Sequence, residues 1–204
     1  MMAAGAGRRG SRSAYRYWTV MGRTGIERAP SAPAASGWSV VGAAAAYATA
    51  VVAFGYALVS LYWAVGGHGL VSTVGGYVEQ FARRGGPVPV LVALAATGLK
   101  VAGGLLALAL VRPWGRGVPR RWLLLSSAGV SVLLVAYGGL NVLAGALVLS
   151  GVIHPGGSVD RTALRWHAGV WDLWFLVWGI LLALATVGYR QRAAHRSATA
   201  PDRH

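Results

Sequence analysis

The chain has 204 residues, 55% of them apolar, and a formal net charge of +14 from nineteen basic and five acidic side chains. A soluble domain of this length cannot hide so much apolar surface, which leaves the membrane class, and the basic excess comes with no RNA- or DNA-binding motif, which sets nucleic acid aside as a partner. With no cysteine, the sequence excludes disulfides, thiolate metal sites, iron–sulfur clusters and thiol redox chemistry.

Residues 1–37 are polar, basic and rich in small side chains, the composition of a disordered tail. The Arg8–Arg9 pair is followed by no short apolar core or cleavage site, so a twin-arginine signal is rejected, and Met21 offers an alternative start to Met1. Four apolar runs follow, at Trp38–Val65, Pro87–Val111, Trp122–Ser150 and His167–Tyr189, each meeting the roughly 20 residues a bilayer crossing needs. They form an expected transmembrane domain over 38–189, with a second basic tail over 190–204. Between the first two runs, Val71, Val74, Val78 and Phe81 recur at helical spacing, which predicts an amphipathic surface segment that Gly75–Gly76 interrupts. Before the fourth run, His154–Pro155–Gly156–Gly157 predicts a turn, and Ser158 or Asp160 an N-cap for a helix that continues into the membrane.

Charge sets the orientation. Six arginines lie in the N-terminal tail, four in the Arg112–Arg121 loop and four after Tyr189, against two in each of the other loops. The positive-inside rule then puts both termini in the cytoplasm. The expected fold is an all-α polytopic membrane protein, a compact up-down-up-down bundle of four transmembrane helices in the plasma membrane. Stripes of small residues mark the expected contact faces: Gly42, Ala46 and Ala50; Gly98 and Ala102 with Gly103–Gly104; Gly138, Asn141 and Gly145. Ala, Gly, Val and Arg dominate while Lys, Ile and Asn are scarce, the usage of a GC-rich, actinobacterial genome.

Against that usage, the chain has one lysine beside eighteen arginines, and it stands inside an apolar run, "ALAATGLKVAGGLLALAL". Lysine is the basic side chain that fits a buried site and can give up its proton, which arginine cannot. At 1.5 Å of rise per residue, Asp172 lies about 8 Å below the outer surface, Asn141 about 15 Å, and Lys100 and Tyr137 about 20 Å. Lys100 and Asp172 are therefore too far apart for an easy direct bond, and Asn141 or water is expected to bridge them. A structural lock between helices is the plainer role for Lys100. The ligand-binding candidates are Lys100, Asp172, Asn141, Tyr62, Tyr137, His68 and His167, with His68 and His167 near the outer boundary. A bis-histidine haem is weighed and set aside, because His68 lies in a Gly-rich loop and His167 only at a helix mouth. No cofactor and no metal is expected. The face His167, Trp171, Trp174, Trp178 predicts packing or an interfacial belt. HExxH, Walker and GxSxG motifs are absent, as is a carboxylate pair within one span, so no enzyme activity is expected.

Three segments, "SLYWAVGGHGLVSTVGG" at 60–76, "GGLNVLAGALVLSGVI" at 138–153 and "RWHAGVWDLWFLVWGILLALA" at 165–185, carry a resemblance. Together they resemble a family of small actinobacterial four-span membrane proteins classed as a domain of unknown function, over about residues 45–190. The resemblance ties Tyr62, Trp63, Gly66, Gly67, Trp171 and Asp172 together as motif positions, and implies the four-span bundle but no activity. Two functions remain open: a polar cavity open to the outside that binds a small polar or anionic ligand or a lipid headgroup, or an accessory subunit of a larger membrane complex. The first expects Lys100, Asn141 and Asp172 to share one interior space; the second expects Lys100 to face lipid. Beyond the bilayer, the partners considered are another membrane protein or a second copy of the chain. A stand-alone transporter is disfavoured, since the bundle shows no internal repeat.

Overall fold

The computed structural model describes residues 37–74, 76–156 and 160–198, so the expectation for the N-terminal tail falls outside it apart from Gly37. All regular structure among the described residues is helical. Helix α1 spans Gly37–Ala64, and two short helices, α2 (Val71–Val74) and α3 (Gly76–Arg83), flank Gly75 where the amphipathic segment was expected. Helix α4 spans Pro87–Ala109, a tight turn covers Pro113–Gly117, and α5 spans Arg120–Leu149. Helix α6 (Arg161–Trp166) passes through one π-helical turn, His167–Trp171, into α7 (Asp172–Ala198).

The boundaries follow from local chemistry. Pro87, with no N–H to leave unsatisfied, opens α4 just after Gly86, whose φ of 87° only glycine adopts readily. Asp160 caps α6 by accepting from Thr162 N (2.8 Å) and Ala163 N (3.0 Å). Among the described residues, four helices are long and apolar enough to cross a membrane: α1, α4, α5 and the α6–α7 run over Arg161–Ala194. The last extends past Tyr189 to Ala198, so the first part of the expected C-terminal tail is helical.

The four long helices share one core and meet unequally. They form a row, α4–α1–α7–α5, in which α4 and α5 barely touch. Neighbours run antiparallel. Lys100 meets Ser60 and Gly104 faces Phe54 between α1 and α4. Trp174 meets Val52 and Gly188 faces Gly42 between α1 and α7. Gly138 faces Leu176 and Gly145 faces Ala168 across α5 and the α6–α7 run. Small residues permit this approach: a Cβ on Gly42 would lie 2.6 Å from the Gly188 Cα, and one on Gly138 would lie 2.5 Å from the Leu176 N. Gly42, Ala46 and Ala50 are buried as their stripe predicts. On α4 the buried pair is Gly103–Gly104, whereas Gly98 has open space around it.

Packing comes in two tiers. At the end that carries Arg112–Arg121, the core is small and aliphatic, with Ala45 and Ala46 of α1, Ala107 of α4, Leu123 of α5 and Leu182 and Ala185 of α7. At the other end it is aromatic. Tyr56 stacks on Trp171 and Trp174 (centroids 5.9 and 5.0 Å), and Trp63 also packs on Trp171 (5.7 Å). Buried hydroxyls turn back to their own helices: Thr49 to Ala45 O, Ser127 to Leu123 O, Ser131 to Ser127 O and Thr186 to Leu182 O. In an apolar surround this satisfies the group without a partner helix. The outward faces of α4 and α5 expose Leu91, Leu99, Val132, Leu133 and Leu140, which suits a lipid bilayer environment.

Candidate functional site

Lys100 sits on the α4 face that meets α1. Its Nζ donates to Ser60 Oγ at 2.8 Å and lies 4.4 Å from the centroid of the Tyr56 ring. An ammonium over an aromatic face meets the negative side of the ring quadrupole, so the charge is held partly by the hydroxyl and partly by the π-face. The ion pairs among the described residues are Glu79–Arg83 and His167–Asp172, and neither includes Lys100.

The amine forms part of a cavity of about 330 Å³ between the end of α1, the start of α4 and the segment joining them. Ser60 and Lys100 are its polar wall within the helices, Trp63, Phe81 and Pro89 are apolar wall, and His68 lies in the connecting segment. The volume falls in the range of small-ligand sites, and a few polar groups in an apolar lining is their usual chemistry. No carboxylate lines this cavity among the described residues.

Asp172 and His167 form a separate centre on the fourth membrane helix. Asp172 is 5% exposed. His167 Nε2 lies 2.7 Å from Val74 O, and its Nδ1 lies 3.5 Å from Asp172 Oδ2. A carbonyl only accepts, so Nε2 carries a hydrogen, and the Nδ1–Oδ2 contact is favourable only with one further proton between the two groups. The π-turn creates this pairing. Residues five apart point away from each other on an α-helix, but here the Asp172 N–H donates to His167 O and stacks them. The pair also pins α2 onto the bundle, helped by Trp171 Nε1 donating to Thr73 Oγ1 at 3.2 Å.

The structure does not bring the seven candidates into one space. Lys100 and His68 share the cavity, while Asp172 and His167 form the second centre. Asn141 is exposed and donates back to Tyr137 O of its own helix at 2.7 Å, so it bridges nothing to Lys100. Tyr137 is half exposed and meets Phe175 edge to face at 5.3 Å. Tyr62 works locally: its hydroxyl accepts from Gly69 N at 3.2 Å, and a side chain at Gly67 would collide with its ring. That lock, with Trp63 Nε1 donating to Gly69 O at 2.8 Å, shapes the turn on which His68 stands. The half-buried lysine bonds across to α1.

Sequence reasoning passed over Tyr56 and Ser60 as site residues. Four apart on α1, they share a face, and they lie at the depth of Lys100 on the neighbouring helix. That coincidence was the available signal. Charge drew attention to Asp172 instead, which the aromatic stack of Tyr56 on Trp171 and Trp174 keeps apart from the lysine.

No curated protein and no solved structure matches the chain. Residues 53–182, which include Tyr56, Ser60, Lys100, His167 and Asp172, match the family model described as "Protein of unknown function (DUF3995)". That match covers more than half of the chain, which therefore belongs to this family of unknown function.

Proposed function

We propose that this chain is a multi-pass plasma-membrane protein that binds a small anionic or polar ligand, or a lipid headgroup, in the Lys100 cavity and does no covalent chemistry on it. The helices cross up-down-up-down with both termini in the cytoplasm and His68 outside; the arginine distribution supports this orientation. The observation that carries the reading is the placement of the amine. Lys100 bonds to a hydroxyl and a ring face across α1, beside a cavity with no lining carboxylate among the described residues, so an anion entering there meets a basic group with no acidic partner in that lining. In low dielectric such a charge attracts an anion more strongly than at an open surface.

The test is thermal stabilisation of the purified full chain in detergent by acetate, lactate and succinate, each compared with the Lys100→Met variant. A saturable rise for the native chain that the variant lacks supports the reading. Equal responses of both proteins to every probe would sink it. The accessory-subunit alternative needs a lysine waiting in lipid for a partner's carboxylate, and the contact of Lys100 with Ser60 gives it no support.

A further inference from the structure

At the opposite end of the helices lies a larger cavity of about 520 Å³, formed by the start of α1, the end of α4, the turn after it and the last part of α7. Arg112, Arg116, Arg120 and Arg192 converge on it from three elements and a connecting segment, together with Tyr47 and Tyr189. Ala43, Leu110 and Val111 supply an apolar part of the wall, beside Ser39. No acidic side chain lines it among the described residues.

The bias that orients a membrane protein needs arginines only somewhere in the loops. It does not require them to surround one space. Here Arg192, from α7, donates to Ser39 O at 2.9 Å and to Leu110 O at 3.2 Å, tying three helix ends together and closing the wall. Arg112, itself exposed, lies with its guanidinium 5.5 Å from the Tyr47 ring centroid, a cation–π contact along the cavity wall. Arg112, Arg116 and Arg120 belong to no ion pair among the described residues. Guanidinium forks match the paired oxygens of phosphate, and basic pockets between membrane helices are recurrent headgroup sites.

We infer that this arginine cavity is a phosphate-binding site, taking the phosphate of an anionic phospholipid headgroup or a free phosphate. The apolar wall of Ala43, Leu110 and Val111 beside the charges suits an amphiphile. The site is independent of the Lys100 cavity, and all of its α1 and α7 lining lies outside the family match at 53–182.

The experiment is native mass spectrometry of the full chain in a nonionic detergent, with phosphatidylglycerol, phosphatidylcholine or inorganic phosphate added. The expected result is retention of phosphatidylglycerol over phosphatidylcholine. Arg112→Gln with Arg116→Gln should lower the retained fraction by about tenfold, with Arg120→Gln intermediate. Arg161→Gln with Arg165→Gln, which removes the same charge far from the cavity, should leave retention intact. Displacement of the lipid by millimolar phosphate, or a phosphate adduct that the Arg112/Arg116 change abolishes, assigns the site to free phosphate. Retention that survives the Arg112/Arg116 and Arg120 changes, or that falls equally with the Arg161/Arg165 control, overturns the inference. Thermal unfolding of each variant separates lost binding from lost fold.

Discussion

Lys100 holds its position through two side chains of α1, the hydroxyl of Ser60 and the ring of Tyr56, and Tyr56 in turn leans on Trp171, Trp174 and Phe175. Removing the ring therefore removes several contacts at once. Tyr56→Leu should cost on the order of 2–4 kcal/mol, since each aromatic pair contributes about 0.5–1.5 kcal/mol and a cation–π contact a similar amount. Tyr56→Phe keeps the rings together and should stay within about 1 kcal/mol of the native chain. Unfolding of both variants in mixed micelles gives the comparison. The His167–Asp172 pair makes a second residue-scale prediction. In Asp172→Asn the amide N–H can donate to Nδ1 while Nε2–H still reaches Val74 O, so the loss should be small. Asp172→Leu leaves His167 without that partner and should cost about 1–3 kcal/mol more. A leucine variant as stable as the asparagine one would show that the pair contributes nothing.

Between elements, the deciding quantity is how closely two backbones approach. Gly42 and Gly188 touch backbone to backbone, so neither helix can accept a methyl group without moving. Gly188→Ala should destabilise by about 1–3 kcal/mol, the usual scale of overpacking. Gly98→Ala, with nothing within 4 Å of its would-be Cβ, should change stability by less than about 0.5 kcal/mol. Gly42, the partner of Gly188, and Gly98 look alike in sequence, each in a small-residue stripe. They differ because α1, α4 and α7 are apolar nearly all round, so no amphipathic stripe declares which face is buried. The π-turn at His167–Trp171 was equally hidden. The spacing His167, Trp171, Trp174, Trp178 fits an unbroken helix, and the extra residue in the turn shows only when Asp172 comes round to His167.

For the whole molecule, the row α4–α1–α7–α5 leaves α4 and α5 with wide apolar outer faces, while α1 and α7 supply most of the buried surface. Both cavities follow from that order. Each lies beside the α1–α4 contact, one at each end, where helix ends and connecting segments splay apart. The crossing direction is open to a direct test, because the chain has no native cysteine to confuse it. Gly156→Cys and Gly117→Cys each introduce a thiol at an exposed loop position with open space around it. The orientation proposed above expects a membrane-impermeant maleimide to label Gly156→Cys in intact cells, and Gly117→Cys only after permeabilisation. The reverse pattern would invert the molecule and place the arginine cavity outside.

Some of this was legible residue by residue. The four spans, the Asp160 cap and the self-bonding of Thr49, Ser127 and Ser131 depend on local apolarity, local turn chemistry and the nearest helical turn, all of which a linear sequence contains. The unusual status of Lys100 was legible too, since a lone lysine among arginines needs no fold to be noticed. Its partners were decided only by tertiary structure. Each residue turns an α-helix by about 100°, so a small rotation of α4 exchanges Ser60 and Tyr56 for lipid or for another helix. That rotation is chosen by glycine contacts such as Gly104 on Phe54 and Gly103 on Trp178, between segments dozens of residues apart. The same contacts separate Lys100 from Asp172 and gather four scattered arginines around one space.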